Sequence, residues 1–295
     1  MGKKDEYSKG YVISIDGTTI GYRQMGKGPG IILLHGGISS SQYFMKLGKA
    51  LSDEFTVYIP DRRGRGLSGP FGDNYGLDRE VEDMDAILKK TDAHYIFGSS
   101  SGGLISLQAS ISLPIIHKIA LYEPVVHVEI PEMEEFNASV EQFDKELAEG
   151  KDLKAMVDIT KAEGHPEGVF YKLPDSIMKI IFKVILFEDE LMVKGDDVTI
   201  EDLMPTLRFD VQLVNETKGK LDDYWDVSAD VLLLSGSKTK SNVLLQKSLN
   251  TLNKLLPHVE WMELEGLDHD SPQNYGKPEI IAKKIKNFID TGLSK

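Results

Sequence analysis

Apolar positions along this chain follow two alternating rhythms. Short compact runs, among them Ile31-Ile32-Leu33-Leu34, Phe55 to Pro60, Tyr95-Ile96-Phe97, Lys118 to Tyr122, Val231 to Ser235 and Val259 to Leu264, have the length and the β-branched or aromatic content of strands. Runs that are apolar at every position, such as 31–34, suit central strands buried on both faces. Between them lie stretches whose apolar residues recur three and four apart. These predict helices over 41–51, 78–90 (Val81, Met84, Ile87 and Leu88 on one face), from Leu104 onward, 242–256 and 278–291. Tyr11 to Ile15, Asp16-Gly17 and Thr19 to Arg23 read as a hairpin, because Asp-Gly between two β-rich runs is a turn signal. Strands alternating with helices predict an α/β fold, a mostly parallel eight-stranded sheet flanked by helices.

The strand rhythm stops between Pro124 and Ala229. Phe136, Val140, Phe143 and Leu147 repeat at helical spacing, and further apolar stretches surround Met156, Ile177 to Phe187 and Leu203 to Phe209. Charge changes at the same boundaries. Residues 124–229 hold 25 Asp and Glu against 11 Lys and Arg, a net of −14, whereas the remainder holds 22 against 23. A helical module at 124–229 inserted into a core of 1–123 and 230–295 accounts for both changes. Its Met and aromatic stripes are read first as packing, with some of these side chains available to line a pocket.

The whole chain carries −13 at pH 7, which argues against a nucleic-acid partner. It has no cysteine, so disulfides, thiol nucleophiles and thiolate metal sites are excluded. Neither an H-E-x-x-H pair nor clustered ligands occur, and no metal or cofactor is expected. The polar start, Met1 to Glu6, lacks an apolar signal core, and no apolar run reaches spanning length; Ile177 to Phe187 is broken by Lys179 and Lys183. A cytoplasmic protein without a membrane partner is therefore expected, and its oligomeric state is left open.

The chemistry concentrates at Gly98-Ser99-Ser100-Ser101-Gly102, between the strand at Tyr95 and the helix from Leu104. This G-x-S-x-G has the form of a nucleophile elbow, with Ser100 on a sharp strand-to-helix turn. A Cβ at Gly98 or Gly102 would clash in so tight a turn. The run of serines and glycines also has linker composition, but a linker is seldom set between a strand and a helix start. A phosphate loop is excluded by the missing G-K-[ST]. Gly64, Gly66 and Gly69 match G-x-G-x-x-G, but no strand–turn–helix surrounds them, so Asp61 to Gly69 is read as a tight surface loop.

Taken in order, Leu34-His35-Gly36-Gly37, Asp61-Arg62-Arg63-Gly64-Arg65-Gly66-Leu67-Ser68, Gly98-Ser99-Ser100-Ser101-Gly102-Gly103 and Gly266-Leu267-Asp268-His269 resemble the landmarks of the α/β-hydrolase superfamily. The resemblance covers nearly all of the chain outside 124–229. That segment lies where such enzymes carry a cap or lid, between the sixth and seventh strands. The resemblance implies Ser100 as nucleophile and His269 as its base, and gives no such position to His94, His117, His127, His165 or His258. It implies an oxyanion hole from the backbone N–H of Ser101 and of Gly37 or its neighbour Ile38, with His35 bracing that loop. The family's usual acid after the seventh strand is missing, since Gly236 to Asn242 contains none. Glu123, ending the sixth strand in Tyr122-Glu123-Pro124, is the substitute expected, against a purely structural role there. Asp268 and Asp270 flank His269, but extended neighbours point apart, which leaves Asp268 a third choice. The function implied is a serine hydrolase acting on a small or medium ester, thioester or similar small-molecule acyl substrate through an acyl-enzyme. C–C hydrolysis, lyase chemistry and cofactor-free oxygenation occur on the same scaffold, and a non-catalytic ligand-binding role is the rival from another class. Epoxide and haloalkane hydrolysis are disfavoured, since those relatives use a carboxylate nucleophile.

Overall fold

A computed structural model of the chain describes residues 7–162 and 172–291. The stretch 163–171 of the expected cap, with His165, lies outside the described residues. The chain opens with the antiparallel pair β1 (Ser8–Ile13) and β2 (Thr19–Gly26). β3 (Gly30–Leu34), β4 (Thr56–Pro60), β5 (Tyr95–Ser99), β6 (Lys118–Tyr122), β7 (Asp230–Gly236) and β8 (Val259–Leu264) follow, and the sheet order is β1-β2-β4-β3-β5-β6-β7-β8. β2 runs antiparallel to β4, and β3 to β8 are mutually parallel.

Period-two alternation sends neighbouring residues of each central strand to opposite cores. Ile32, Leu34 and Ile96 join the core on the face covered by α2 (Leu77–Thr91), α3 (Ser101–Ser112) and α9 (Val243–Leu255). Ile31, Leu33 and Phe97 join the opposite core, covered by α1 (Met45–Leu51) and α10 (Pro278–Asp290). Local signals set the ends. Asn242 caps α9, its side chain accepting from Leu245 N at 3.0 Å, and Asp92 closes α2 in the left-handed conformation. The helix expected over 41–51 starts as a 3₁₀ turn, Ser41–Phe44, before α1.

Between β6 and β7 stand α4 (Pro131–Ala148), α5 (Asp152–Ala162), α6 (Asp175–Met192), the single turn α7 (Ile200–Leu203) and α8 (Leu207–Glu216). They form two small apolar clusters among themselves, one around Val140, Phe143, Ile159 and Leu207, the other around Val157, Met178 and Phe182. α8 also reaches the sheet layers. Glu216 accepts from Leu77 N at 2.7 Å, so a residue of the segment between β6 and β7 satisfies the first free N–H of α2. No helix among the described residues is long and apolar enough to cross a membrane.

One expectation holds only in part. Asp61 to Gly69 is a tight loop with Gly64 exposed, but the side chains of Asp61, Arg62, Arg63 and Arg65 are almost fully buried. Each arginine is buried because a carboxylate from elsewhere meets it, and such distant partners cannot be read from the loop itself. Arg63 pairs with Asp83 at 2.6 Å and Asp16 at 2.5 Å, tying the loop to α2 and to the β1–β2 turn. Asp61 accepts from Ser41 N at 2.6 Å and Leu67 N at 2.9 Å, holding its own turn closed.

Candidate active site

The carboxyl ends of the parallel strands β5 to β8 deliver their following loops to one edge of the sheet, where ligands of open α/β sheets bind. β5 ends in a turn at which Ser100 takes φ 54° and ψ −123°, a conformation rarely adopted by a residue with a Cβ. The turn is pinned on both sides. Ser100 N donates to Tyr122 O at 3.0 Å, and Ser100 O accepts from Gly103 N and Leu104 N at 2.9 and 3.2 Å. The glycine requirement read from the sequence is met. A Cβ on Gly98 would lie 2.5 Å from Gly102 O, and one on Gly102 would lie 2.5 Å from the carbonyl oxygens of both Leu34 and His35. Backbone cannot yield as a flexible side chain could, so only glycine lets β3, β5 and α3 approach this closely.

The loop after β8 brings His269 to the same place, and the end of β6 brings Glu123. His269 Nδ1 lies 2.6 Å from Glu123 Oε2. Glu123 is fully buried, with φ 45°, a second strained residue beside Ser100. Its other oxygen accepts from Gly236 N at 2.8 Å and from the Thr239 hydroxyl. The stretch after β7 that lacks an acid therefore supplies donors to the acid of the neighbouring strand. Tyr122 steadies both loops, its carbonyl on the Ser100 turn and its hydroxyl donating to Asp268 O at 2.6 Å. The Asp268 carboxylate turns to the Ser271 hydroxyl at 2.8 Å and Lys238 at 3.7 Å. With Nδ1–H donating to a buried carboxylate, a neutral His269 keeps its lone pair on Nε2, where it can accept a proton.

Ser100, Ser101, Gly37, Ile38 and His269 all line one cavity of about 470 Å³. The Gly36–Ile38 loop touches the Ser100 turn, since a Cβ on Gly36 would come within 2.9 Å of Ser100 Cβ. Ser101 opens α3, where N–H groups have no acceptor inside the helix, so a negative oxygen placed there meets free donors and the helix dipole. His35 braces the facing loop as expected. Its Nδ1 lies 3.0 Å from Gly36 O, and its Nε2 accepts from Arg62 N at 3.2 Å. Burial, helped by the charges of Arg65 and Arg62, holds its pKa well below the usual histidine value, so it stays neutral. Among the apolar stripes between β6 and β7, Met133 and Phe136 line the cavity, while Val140 and Phe143 pack among the helices. No group of three or more His, Asp or Glu is gathered as metal ligands among the described residues.

Sequence reasoning missed the ion network behind this cavity. Asp210 of α8 accepts from Arg62 Nη1 at 2.6 Å, from Arg65 Nη2 at 2.5 Å and from the Ser101 hydroxyl at 2.6 Å. Arg62 also meets Glu80 at 3.0 Å, whose carboxylate accepts from Tyr75 at 2.5 Å. Burial opposes ionisation of Asp210, but the two guanidiniums and the serine hydroxyl outweigh it and hold its pKa at about 2. A sequence signal did exist: Asp210 shares the apolar face of α8 with Leu207 and Val214, where an acid needs a buried partner. Asp210→Ala leaves two buried guanidiniums without their shared partner, and a loss of about 3–5 kcal/mol in unfolding free energy is expected by denaturant titration. Because the folded state favours ionised Asp210, this contribution is complete well above pH 3.8 and fades as pH falls towards 2.

A family model described as the alpha/beta hydrolase family matches residues 31–282. The chain belongs to that family. Similar to this hydrolase is the 2-(acetamidomethylene)succinate hydrolase of Mesorhizobium japonicum, 25% identical over 285 residues that cover 94% of each chain. Among solved structures, an alpha/beta hydrolase from Sphaerobacter thermophilus matches with a TM-score of 0.72 at 25% identity, covering 95% of this chain and 100% of the other. An esterase from Rhodococcus sp. ECU1013 matches with a TM-score of 0.66 at 19% identity, over 96% and 98% of the two chains, and shares the fold.

Proposed function

We propose that this hydrolase cleaves small or medium uncharged esters or thioesters through an acyl-enzyme on Ser100. The observation that carries the reading is the 2.6 Å contact of His269 with buried Glu123, on the cavity that also exposes the strained Ser100 turn. His269 Nε2 takes the Ser100 proton as Oγ bonds to the substrate carbonyl carbon. Charge then develops on the carbonyl oxygen, stabilised by the N–H groups of Ser101 and of Gly37 or Ile38. Collapse breaks the bond to the leaving group, which departs with the proton held by His269. Water activated by the same nitrogen attacks the acyl-enzyme, releases the acid and restores Ser100. Glu123 fixes the imidazole tautomer and stabilises its charged form. The helical segment 124–229 acts as a cap: Val125, Met133, Phe136, Leu207, Val211 and Val214 from it face the cavity.

The lining also supports the substrate class. Among the described residues apolar side chains dominate it, its acidic members are Asp210, Asp268 and Asp270, and no Lys or Arg is among them. The arginines behind Asp210 are matched by Asp210 and Glu80. A carboxylate on the substrate would meet no lysine or arginine among the described lining residues. The substrate named for the Mesorhizobium relative, a succinate derivative, is therefore not expected for this chain. In a panel of p-nitrophenyl acetate, butyrate and hexanoate beside mono-p-nitrophenyl succinate, kcat/KM for the best neutral ester is expected to exceed that for the anion by about tenfold or more. Preference for the succinate would contradict the assignment of substrate class.

A further inference from the structure

We infer that α6 is a self-association surface, pairing antiparallel with α6 of a second copy across a twofold axis. Ile177, Ile180, Val184, Phe187 and Leu191 recur at alternating intervals of three and four along this helix, and all are exposed, by 43, 65, 51, 60 and 65%. That spacing is the seam of an antiparallel or parallel helix pair, and a monomeric protein seldom leaves so continuous an apolar strip in water. The strip cannot turn inward. On the opposite face Met178 and Phe182 are buried, and Asp189 accepts from Tyr43 Oη at 3.0 Å and Ile200 N at 2.7 Å. The helix is thus held with its seam outward, and pairing requires no new ordering of backbone.

Charge selects the occupant. Lys183 and Glu190 stand one residue before Val184 and Leu191, in equivalent places beside the seam, and neither has an ion-pair partner among the described residues. Set Val184 against Phe187 of the second copy and Ile180 against Leu191, and Lys183 of each chain faces Glu190 of the other, twice by symmetry. Shifting by one heptad layer, so that Ile180 meets Val184, would bring Lys183 against Lys183. The surface is therefore complementary to itself in one antiparallel register. A lipid surface fits less well, because the segment 124–229 carries a net of −14 and would be repelled by anionic headgroups.

Sedimentation equilibrium of the full chain over about 1–100 µM tests this. Reversible dimers are expected for the wild type. Lys183→Glu and Glu190→Lys should each weaken association by about tenfold, and the double variant should restore it, because the swapped charges again face opposite signs. These positions are exposed, and circular dichroism will show the variants folded. A wild type monomeric at every concentration overturns the proposal, and so does a dimer indifferent to the single reversals or not rescued by the double. Flotation of a monomeric wild type with phosphatidylcholine or phosphatidylglycerol vesicles would overturn it in favour of a lipid surface.

Discussion

Ser100→Ala is expected to lower kcat/KM for the best ester by a factor on the order of 10⁴ or more, with the fold unchanged. The size of the effect follows from what is removed. His269 and Glu123 remain hydrogen-bonded at 2.6 Å, and the N–H groups of α3 remain in place, but they have no covalent partner to serve. Residual turnover would come from water held in the same cavity and from the oxyanion donors alone. Alanine at φ 54° inherits the strain of the serine, so no large change in stability should accompany the loss. Steady-state kinetics with a thermal melt beside them checks both halves. A variant that keeps more than a tenth of the wild-type rate would remove Ser100 from the nucleophile's place.

Glu123→Gln should cost about 10³–10⁴ in kcat while leaving KM little changed. Glu123 is buried behind His269 and is absent from the cavity wall, so ground-state binding does not depend on it. The chemistry of the amide decides the outcome. Gly236 N and the Thr239 hydroxyl both donate to one carboxylate oxygen, so the glutamine oxygen must stay there. Its NH₂ group then faces His269 Nδ1, which must accept instead of donate. The ring shifts to the tautomer with hydrogen on Nε2, and that nitrogen can no longer take a proton from serine. Nitrogen NMR of the imidazole should show the tautomer change directly. A loss of only a few-fold would assign the acid's role elsewhere, with Asp268 the next residue to test.

How much of this was legible beforehand depends on whether the deciding forces were local. The sheet follows from short runs such as Ile31 to Leu34, whose apolar character on both faces suits a central strand, and the flanking helices from the three-and-four spacing between such runs. The Ser100 turn was legible because sterics demand glycine at 98 and 102 within the same short stretch. The contact of Glu123 with His269 could be placed because strand order puts β6 beside β5 and β7, even though 146 residues separate the two side chains. What supports Glu123 was hidden: Thr239 reads as an ordinary loop residue until the fold sets its hydroxyl against the carboxylate. The arginine loop was misread for the same reason. Arg62 and Arg65 look like surface charges until Asp210, more than a hundred residues later, arrives on α8 to meet them. Long-range ion pairs leave no local pattern, only the oddity of a charged residue on an apolar helix face.

The central claim is an activated Ser100, and reaction with a fluorophosphonate followed by peptide mass spectrometry addresses it most directly. A single adduct on Ser100 is predicted for the wild type, none for Ser100→Ala, and a sharply slower adduct for Glu123→Gln, because the phosphonyl group reports the nucleophile without requiring the natural substrate. No adduct on folded wild-type protein, or an adduct undiminished in Ser100→Ala, would contradict the account.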